Sequence, residues 1–253
     1  RTVGPGLALA FLKANRPSQV MAAPSYRCVE CGEEALELHR DYSHGIIKIT
    51  ICKSCQKPVD KYIEYDPVII LIDAILCKVQ AYRHIILNTK INIHWKLCIF
   101  CLLCEAYLRW SQLQDSQRTV DPTDIIRYAK EWDFYQMFGL ASLELAAFLS
   151  GAFLFLRLTK DEFIQKKSNR NTLLIALILS GYGKLLVIPA VIWEHDYSPL
   201  YINLIKFFVL ASNAQAVRVV LNSTRRFALS VIIVGWMVEQ FTACIFQQLK
   251  LSA

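Results

Sequence analysis

The chain has 253 residues, of which 55% are hydrophobic, and this apolar fraction exceeds the roughly 45–50% of an ordinary soluble domain. Its formal net charge is +7, but the basic residues lie between apolar runs. That arrangement suits membrane flanks facing anionic lipid and argues against a nucleic-acid partner.

Residues 1–24 carry no clear signal. The chain does not begin with Met, and the apolar run from Leu7 to Leu12 is shorter than the core of a usual secretory signal. We expect this tail to be disordered, with Met21 as a candidate natural start and the residues before it as an extension.

Two Cys-x-x-Cys pairs, Cys28 with Cys31 and Cys52 with Cys55, are separated by a stretch of 20 residues. This spacing is typical of a four-thiolate zinc site, in which each tight turn supplies two ligands to a tetrahedral ion. Gly32 follows the first pair, where such a turn often requires a positive φ. Four thiolates close the coordination shell, so we predict one structural Zn²⁺ per chain.

The residues between the pairs predict two strands, 36–42 and 46–51, joined by a turn at 43–45. The result is a zinc ribbon whose core is too small to fold without its metal. Two disulfides are the alternative, although paired short spacings are more characteristic of metal. Because four thiolates already complete the site, His39 and His44 are interpreted as surface residues.

A polar, aromatic linker at 57–66 ends a ribbon domain predicted for 25–66. Pro67 then suits the first turn of a helix that extends to Leu87. Four ionisable groups are too many for a comfortable membrane span, so we predict an interfacial amphipathic helix within 67–90. These groups are Asp73, Lys78, Arg83 and His84.

The remainder, 91–253, is predicted to be an all-α membrane domain. A helix needs roughly 20 residues to cross the hydrocarbon core, and five stretches meet this length to differing degrees. They are 91–110, 134–156, 172–193, 200–221 and 227–249. The first is marginal because its apolar part is short and includes Glu105. The predicted fold is thus a small zinc ribbon followed by a polytopic body of about five transmembrane helices and one interfacial helix.

Charge bias predicts the orientation of these spans. The segment 157–171 has five basic residues, the loop 222–226 has two, and 194–199 has none. The positive-inside rule therefore places the first two in the cytosol. With five spans the ribbon is also cytosolic, where its thiols stay reduced, and the C-terminus is lumenal. A sixth span at 67–87 would put the ribbon in an oxidising lumen.

Charged residues inside the predicted spans each cost on the order of a few kcal/mol if they face lipid at mid-depth. They are Glu105, Glu144, Lys184, Lys206 and Glu239. We expect them to face one another or a hydrated cavity. Two interpretations stay open: pairing or snorkelling, for which Lys206 and Arg218 are well placed, and a polar furrow that accepts a lipid headgroup.

A loose cholesterol-contact pattern adds three residues on the first span. The candidate lipid-binding residues are then Leu103, Tyr107, Arg109, Glu144, Lys184 and Glu239. On the same helix, Cys98, Cys101 and Cys104 share one side, because each step of three rotates by roughly −60°. They are interpreted as small packing residues, with metal binding or acylation as the alternative.

The triplet Glu194-His195-Asp196 suggests a histidine base. Its consecutive side chains point in different directions, however, and no nucleophile motif, phosphate-binding glycine loop or open metal site accompanies it. We therefore predict that the protein is not an enzyme.

Several of these segments together resemble the Arv family (ACAT-related proteins required for viability), and its vertebrate members most closely. The resemblance is carried by the Cys28–Cys31 knuckle and by the runs 51–66, 96–109 and 188–197. It covers roughly residues 25–250, and the ribbon with its linker is specific. Residues 1–24 have no recognised counterpart.

The resemblance implies a multi-pass protein of the endoplasmic reticulum membrane. The family is tied to sterol movement out of that membrane, to sphingolipid and bile-acid homeostasis, and to early steps of glycosylphosphatidylinositol (GPI) anchor synthesis. Its ligand would be a sterol, a phospholipid or a GPI precursor. Two function classes stay open: a body that binds or moves lipid, and a non-enzymatic adaptor that organises lipid-synthesis enzymes, such as a GPI transferase complex, through its ribbon.

Overall fold

The computed structural model of this chain describes residues 26–42, 46–89, 94–116, 125–159, 167–186, 188 and 199–252. Within these ranges, short strands at the N-terminal end precede a body of helices. The predicted tail at 1–24, the hairpin turn at 43–45 and the triplet at 194–196 lie outside the described residues.

Two antiparallel hairpins form the N-terminal region. Strand β1 (Tyr26–Arg27) pairs with β2 (Glu34–Ala35), and β3 (His39–Tyr42) pairs with β4 (Ile46–Ile49). The first hairpin brackets one Cys-x-x-Cys turn, while an isolated bridge between Ile51 and Pro58 brackets the other. The strand pairing predicted between the two cysteine pairs is thus present, although both strands are shorter than expected.

The segment after the linker is broken into two short helices rather than the single helix predicted for it. Helix α1 (Pro67–Ile75) begins where the Asp66 carboxylate accepts a hydrogen bond of 2.9 Å from the Val68 amide. The chain then turns at Cys77, whose φ is +54°. Helix α2 (Val79–Arg83) follows and continues as a π-helical turn (His84–Asn88). A residue in the left-handed region cannot continue an α-helix, which explains the break.

Helix α1 presents an apolar surface. Val68 is 61% exposed and Leu76 is 63% exposed, and Leu71 and Ile72 beside them are also exposed. On its other side, Asp73 accepts hydrogen bonds from the Tyr62 hydroxyl at 2.9 Å and from Lys78 at 2.7 Å across the break. An apolar outer surface with its charges tied inward suits contact with lipid at the membrane interface.

Longer helices form the body. They are α3 (His94–Ser116), α4 (Ile125–Thr159), α5 (Lys167–Ser180) with a 3₁₀ extension (Gly181–Leu186), α6 (Pro199–Leu221) and α7 (Arg225–Ser252). Helix α4 packs along both α3 and α7, while α6 packs against α2, α5 and α7. The buried core between them includes Leu156, Leu173, Val217 and Val231.

Three helices of the described chain are long and apolar enough to cross a membrane. They are Glu131–Thr159, Asn203–Leu221 and Arg225–Gln248, which coincide with three predicted spans. The count of five is not confirmed. Helix α3 is more polar than the other three because Glu105 and Arg109 interrupt its apolar part and because the residues after Trp110 are mostly polar. The predicted span 172–193 runs beyond the described residues after its 3₁₀ extension.

Two glycines allow α4 and α7 to approach closely. A Cβ on Gly151 would lie 2.9 Å from Cγ2 of Val238, and one on Gly235 would lie 3.0 Å from the Phe148 carbonyl oxygen. The phenyl rings of Phe155 and Phe227 meet further along the same pair, 6.3 Å apart. Because lipid tails are as apolar as the helices, such close packing is a main source of helix association in a bilayer.

We expect Gly151→Leu to destabilise the protein by roughly 1–3 kcal/mol, because the new side chain would push α4 and α7 apart. Gly139→Leu on the same helix is the matched control, since a Cβ there meets no atom within 4 Å. Thermal unfolding in detergent measures both variants. Equal melting temperatures for the two would contradict the packing role.

Candidate metal centre and charged cavity

The four ribbon cysteines converge on one point. Their sulfur atoms all lie within 4.8 Å of one another. Sγ of Cys28 is 3.7 Å from Sγ of Cys55, and Sγ of Cys31 is 3.6 Å from Sγ of Cys52. A tetrahedral ion with metal–sulfur bonds of about 2.3 Å places neighbouring sulfurs about 3.8 Å apart. The observed spacing fits that geometry and far exceeds the S–S bond of about 2.05 Å in a disulfide. All four cysteines are free, so this group could hold a metal ion.

The two cysteine turns repeat one backbone pattern. In the first, the Gly32 amide donates to the Cys28 carbonyl at 2.9 Å, and Gly32 has φ +82°. In the second, the Gln56 amide donates to the Cys52 carbonyl at 3.0 Å, and Gln56 has φ +57°. The sequence indicated the positive φ at Gly32 but did not reveal Gln56, because glutamine rarely adopts it.

The backbone also tunes the thiols. Amide N–H groups of Cys55 and Ser54 stabilise the Cys52 thiolate and lower the pKa of that group to about 7. Burial raises the pKa of the Cys28 thiol to about 12. Cysteine binds metal as thiolate, so an ion must displace the Cys28 proton when it binds.

The metal centre is attached to the helical body through Arg83. Its Nη1 donates to the carbonyl oxygens of Val29 at 2.9 Å and Glu30 at 2.7 Å, both inside the first cysteine turn. Its guanidinium also covers Gly32, where a Cβ would lie 3.1 Å from Nη2. Arg83 therefore places a positive charge beside the thiolates. A divalent ion bound by four thiolates would have a net negative charge, and the guanidinium would offset part of it.

A buried network around Asp60 completes this attachment. The Asp60 carboxylate is fully buried and lies 2.7 Å from Nδ2 of Asn88 and 2.8 Å from Nδ1 of His84. The Asn88 side chain also accepts a hydrogen bond from the Arg27 amide at 2.9 Å and donates one to the Arg27 carbonyl at 2.9 Å. A neighbouring β-strand would bind both backbone groups in the same way. Sequence reasoning assigned His84 and Arg83 to the lipid interface and missed Asp60 and Asn88, since their partners lie far away in the chain.

A second polar site lies among the helices of the body. Arg109 of α3 donates Nη2 to Glu105 at 2.6 Å and Nη1 to Glu144 of α4 at 2.9 Å. Arg109 forms a second, short bond to Glu144, which makes that pair bidentate. Lys184 of the 3₁₀ extension donates to the other Glu105 oxygen at 2.5 Å. These salt bridges tie three elements together.

The salt bridges border a cavity of about 570 Å³. Its walls come from α3, α4, the end of α5, α6 and α7, and its charged lining residues are Glu105, Arg109, Glu144, Lys184, Lys206 and Glu239. Gln112, Trp236 and Gln240 line it as well and are exposed, so the cavity opens to the molecular surface. Apolar lining residues such as Leu140 and Phe148 complete it.

The structure divides the candidate lipid-binding residues into two groups. Arg109, Glu144, Lys184 and Glu239 line the cavity. Leu103 and Tyr107 are 40% and 48% exposed and are not among its lining residues. Spacing along α3 could not distinguish these groups, because the side that packs inward depends on the neighbouring helices.

Of the three cysteines on α3, Cys101 fits the interpretation as a packing residue. Cys101 is buried against the 3₁₀ extension, with its sulfur 3.9 Å from the Gly181 carbonyl oxygen. Cys98 lines the cavity beside it, and Cys104 is half-buried. Within the described residues, the ribbon cysteines are the one group of three or more potential ligands that converges as a metal site.

Comparison with known proteins identifies close relatives. The sequence model of the Arv1-like family matches residues 27–217. The chain is 64% identical to Protein ARV1 of Bos taurus over 229 residues, covering 90% of this chain and 81% of the relative. It is 61% identical to Protein ARV1 of Homo sapiens, covering 94% and 88%, and 28% identical to Protein ARV 1 of Arabidopsis thaliana, covering 90% and 91%. No solved structure matches.

We expect the purified protein to hold one metal ion per chain and to lose it in Cys28→Ala and Cys52→Ala, because three sulfurs leave the shell incomplete. Cys244→Ala is the control, since that exposed cysteine lies on α7 outside the group. Elemental analysis gives the metal content. The apparent affinity should fall as pH falls, because protons compete for the thiolates. Two disulfides and no metal in the native protein would contradict the site.

Proposed function

The chain belongs to the Arv1-like family, and from this premise we propose that it binds and moves lipids in the endoplasmic reticulum membrane. In this role it contributes to intracellular sterol and lipid homeostasis and to GPI anchor synthesis. The resemblance to the family supports the pathway, and the charged cavity supports the mechanism.

The observation that carries the mechanism is the cavity itself. Ionised side chains within a bilayer are costly unless they pair or reach water. Here they line a space of about 570 Å³ whose rim is exposed. A lipid could place its headgroup in such a space while its acyl chains stay in the bilayer.

The depth of the charges supports this location. Glu144 and Glu239 lie about 21–23 Å along their helices from Thr159 and Arg225, at a rise of about 1.5 Å per residue. Those two helix ends adjoin the basic segments that we propose to be cytosolic on the positive-inside rule. In a hydrocarbon core of about 30 Å, both carboxyls then lie well inside the membrane.

The metal is proposed to be zinc with a structural role, because four thiolates suit it and leave no open coordination position. When bound, it would hold the two cysteine turns together. Arg83 and Asn88 would then keep the folded ribbon on the body through the contacts described above.

A cytosolic ribbon is supported by its attachment to α6. The Tyr82 hydroxyl lies 2.7 Å from Oγ of Ser212, and Nε2 of Gln215 donates to the Cys77 carbonyl at 3.2 Å. Gln215 lies in the half of α6 that leads to 222–226, whereas Ser212 is near the middle of the span Asn203–Leu221. We propose from the Gln215 contact that the ribbon, which precedes Cys77 along the chain, lies on the same side of the membrane as that basic loop.

An adaptor role is the second candidate. Three large apolar side chains of the ribbon, Leu36, Ile47 and Ile51, are 77%, 45% and 59% exposed. Such a surface could contact a lipid-synthesis enzyme, with a GPI transferase complex as the proposed partner.

We expect purified protein in vesicles to accelerate transbilayer exchange of a labelled phospholipid, and the double variant Arg109→Leu/Glu144→Leu to lose most of that rate. Replacing both partners avoids leaving one charge unpaired, so the fold should persist. Removing the exposed Glu37–Arg40 pair of the ribbon is the matched control. Inert wild-type protein that co-purifies stably with a transferase complex would favour the adaptor.

The orientation is tested by inserting a longer loop that carries a glycosylation sequon at three places. We expect modification within 194–199 and after Ala253, because both are lumenal in the proposed orientation, and none after Asn222. Gel mobility before and after deglycosylation reads the result. Modification after Asn222 but not within 194–199 would reverse the orientation and place the ribbon in the lumen.

A further inference from the structure

One carboxylate of the cavity has no hydrogen-bond or salt-bridge partner among the described residues. Arg109 is bound by Glu105 and Glu144, and Lys184 is bound by Glu105. Within the described part of the chain, Glu239 of α7 forms no salt bridge or hydrogen bond, although it lines the same cavity. The group therefore contains three carboxylates but only two salt-bridged cations.

The existing cations do not satisfy Glu239. Lys184 lines the same cavity, but its ammonium is already 2.5 Å from a Glu105 oxygen. Glu105 and Glu144, which also line the cavity, carry the same charge as Glu239. A partly buried carboxylate with like charges nearby is unfavourable until a cation or a hydrogen-bond donor reaches it. The cavity is the open side from which one can come.

The opposite charge is available on another wall. Lys206 of α6 lines the cavity, is exposed, and has no salt bridge to the described residues. An anionic group entering the cavity would find Arg109 and Lys184 occupied and Lys206 open. The cavity thus presents one open acceptor on α7 and one open cation on α6.

We propose that the cavity selects membrane lipids whose headgroup carries a protonated primary amine next to a phosphate, with Glu239 binding the amine and Lys206 the phosphate. This proposal rests on the lipid-binding function proposed above and names the class of lipid. A primary amine donates charge-assisted hydrogen bonds to a carboxylate, whereas a quaternary ammonium has no N–H to donate. A headgroup without an amine leaves Glu239 unpaired inside a cavity closed by the lipid.

The test uses vesicles containing acyl-labelled phosphatidylethanolamine, phosphatidylcholine or phosphatidylglycerol and measures transbilayer exchange of each by the purified full chain. We expect the ethanolamine lipid to move about tenfold faster than the other two, the size of one charge-assisted hydrogen bond. Glu239→Gln should abolish this preference, and Lys206→Gln should slow all three lipids. Glu131→Gln is the control, since that exposed residue lies on α4 outside the cavity.

The outcomes separate this proposal from the broader function. Equal exchange of all three lipids by the wild type, or a preference that survives in Glu239→Gln, overturns the amine selectivity while lipid movement stands. If the wild type moves no lipid, movement fails, and retention of the three lipids by detergent-purified protein then decides selectivity. Glu239→Asp keeps the carboxylate, so it should keep the preference at a lower rate, which guards against a folding defect in the glutamine variant.

Discussion

The body of this protein depends on the pairing of charges away from water. Arg109 is the central group, because it holds Glu105 on its own helix and Glu144 on the neighbouring one. Lys184 then ties the 3₁₀ extension to the same cluster. Leaving one member of such a group unpaired in a low-dielectric environment costs several kcal/mol, so the arrangement of helices in which these side chains meet is favoured. The cavity is the space that this arrangement leaves.

A continuous series of polar contacts joins the metal centre to that cavity. Arg83 binds the first cysteine turn, and its neighbour Tyr82 reaches Ser212 on α6. Ser212 donates to the Ser180 carbonyl at 2.8 Å, and Ser180 bonds Asn213, which lines the cavity. The position of the first cysteine turn and the placement of the 3₁₀ extension that carries Lys184 are therefore parts of one assembly.

The local sequence pattern was sufficient to predict the features that depend on one short stretch of chain. The spacing of Cys28, Cys31, Cys52 and Cys55 predicted sulfurs that converge on one point, because each tight turn brings its own pair together. Length and apolar composition likewise predicted the three helices that are long enough to cross a membrane. The same reasoning predicted one interfacial helix over 67–87, which a positive φ at Cys77 breaks in two, and a marginal span at 91–110, where α3 is more polar than those three helices.

The sequence by itself thus determined the convergence of the four ribbon cysteines, the apolar helices long enough to cross a membrane and the presence of charges that had to find partners. Tertiary structure alone decided which partners they found. It turned Arg109 inward and left Tyr107 exposed, brought Asn88 beside Arg27, and left Glu239 facing the cavity without a salt bridge to any described residue. The physical reason is that residue spacing sets the period of a helix, whereas its rotation and its neighbours follow from packing between segments far apart in the chain.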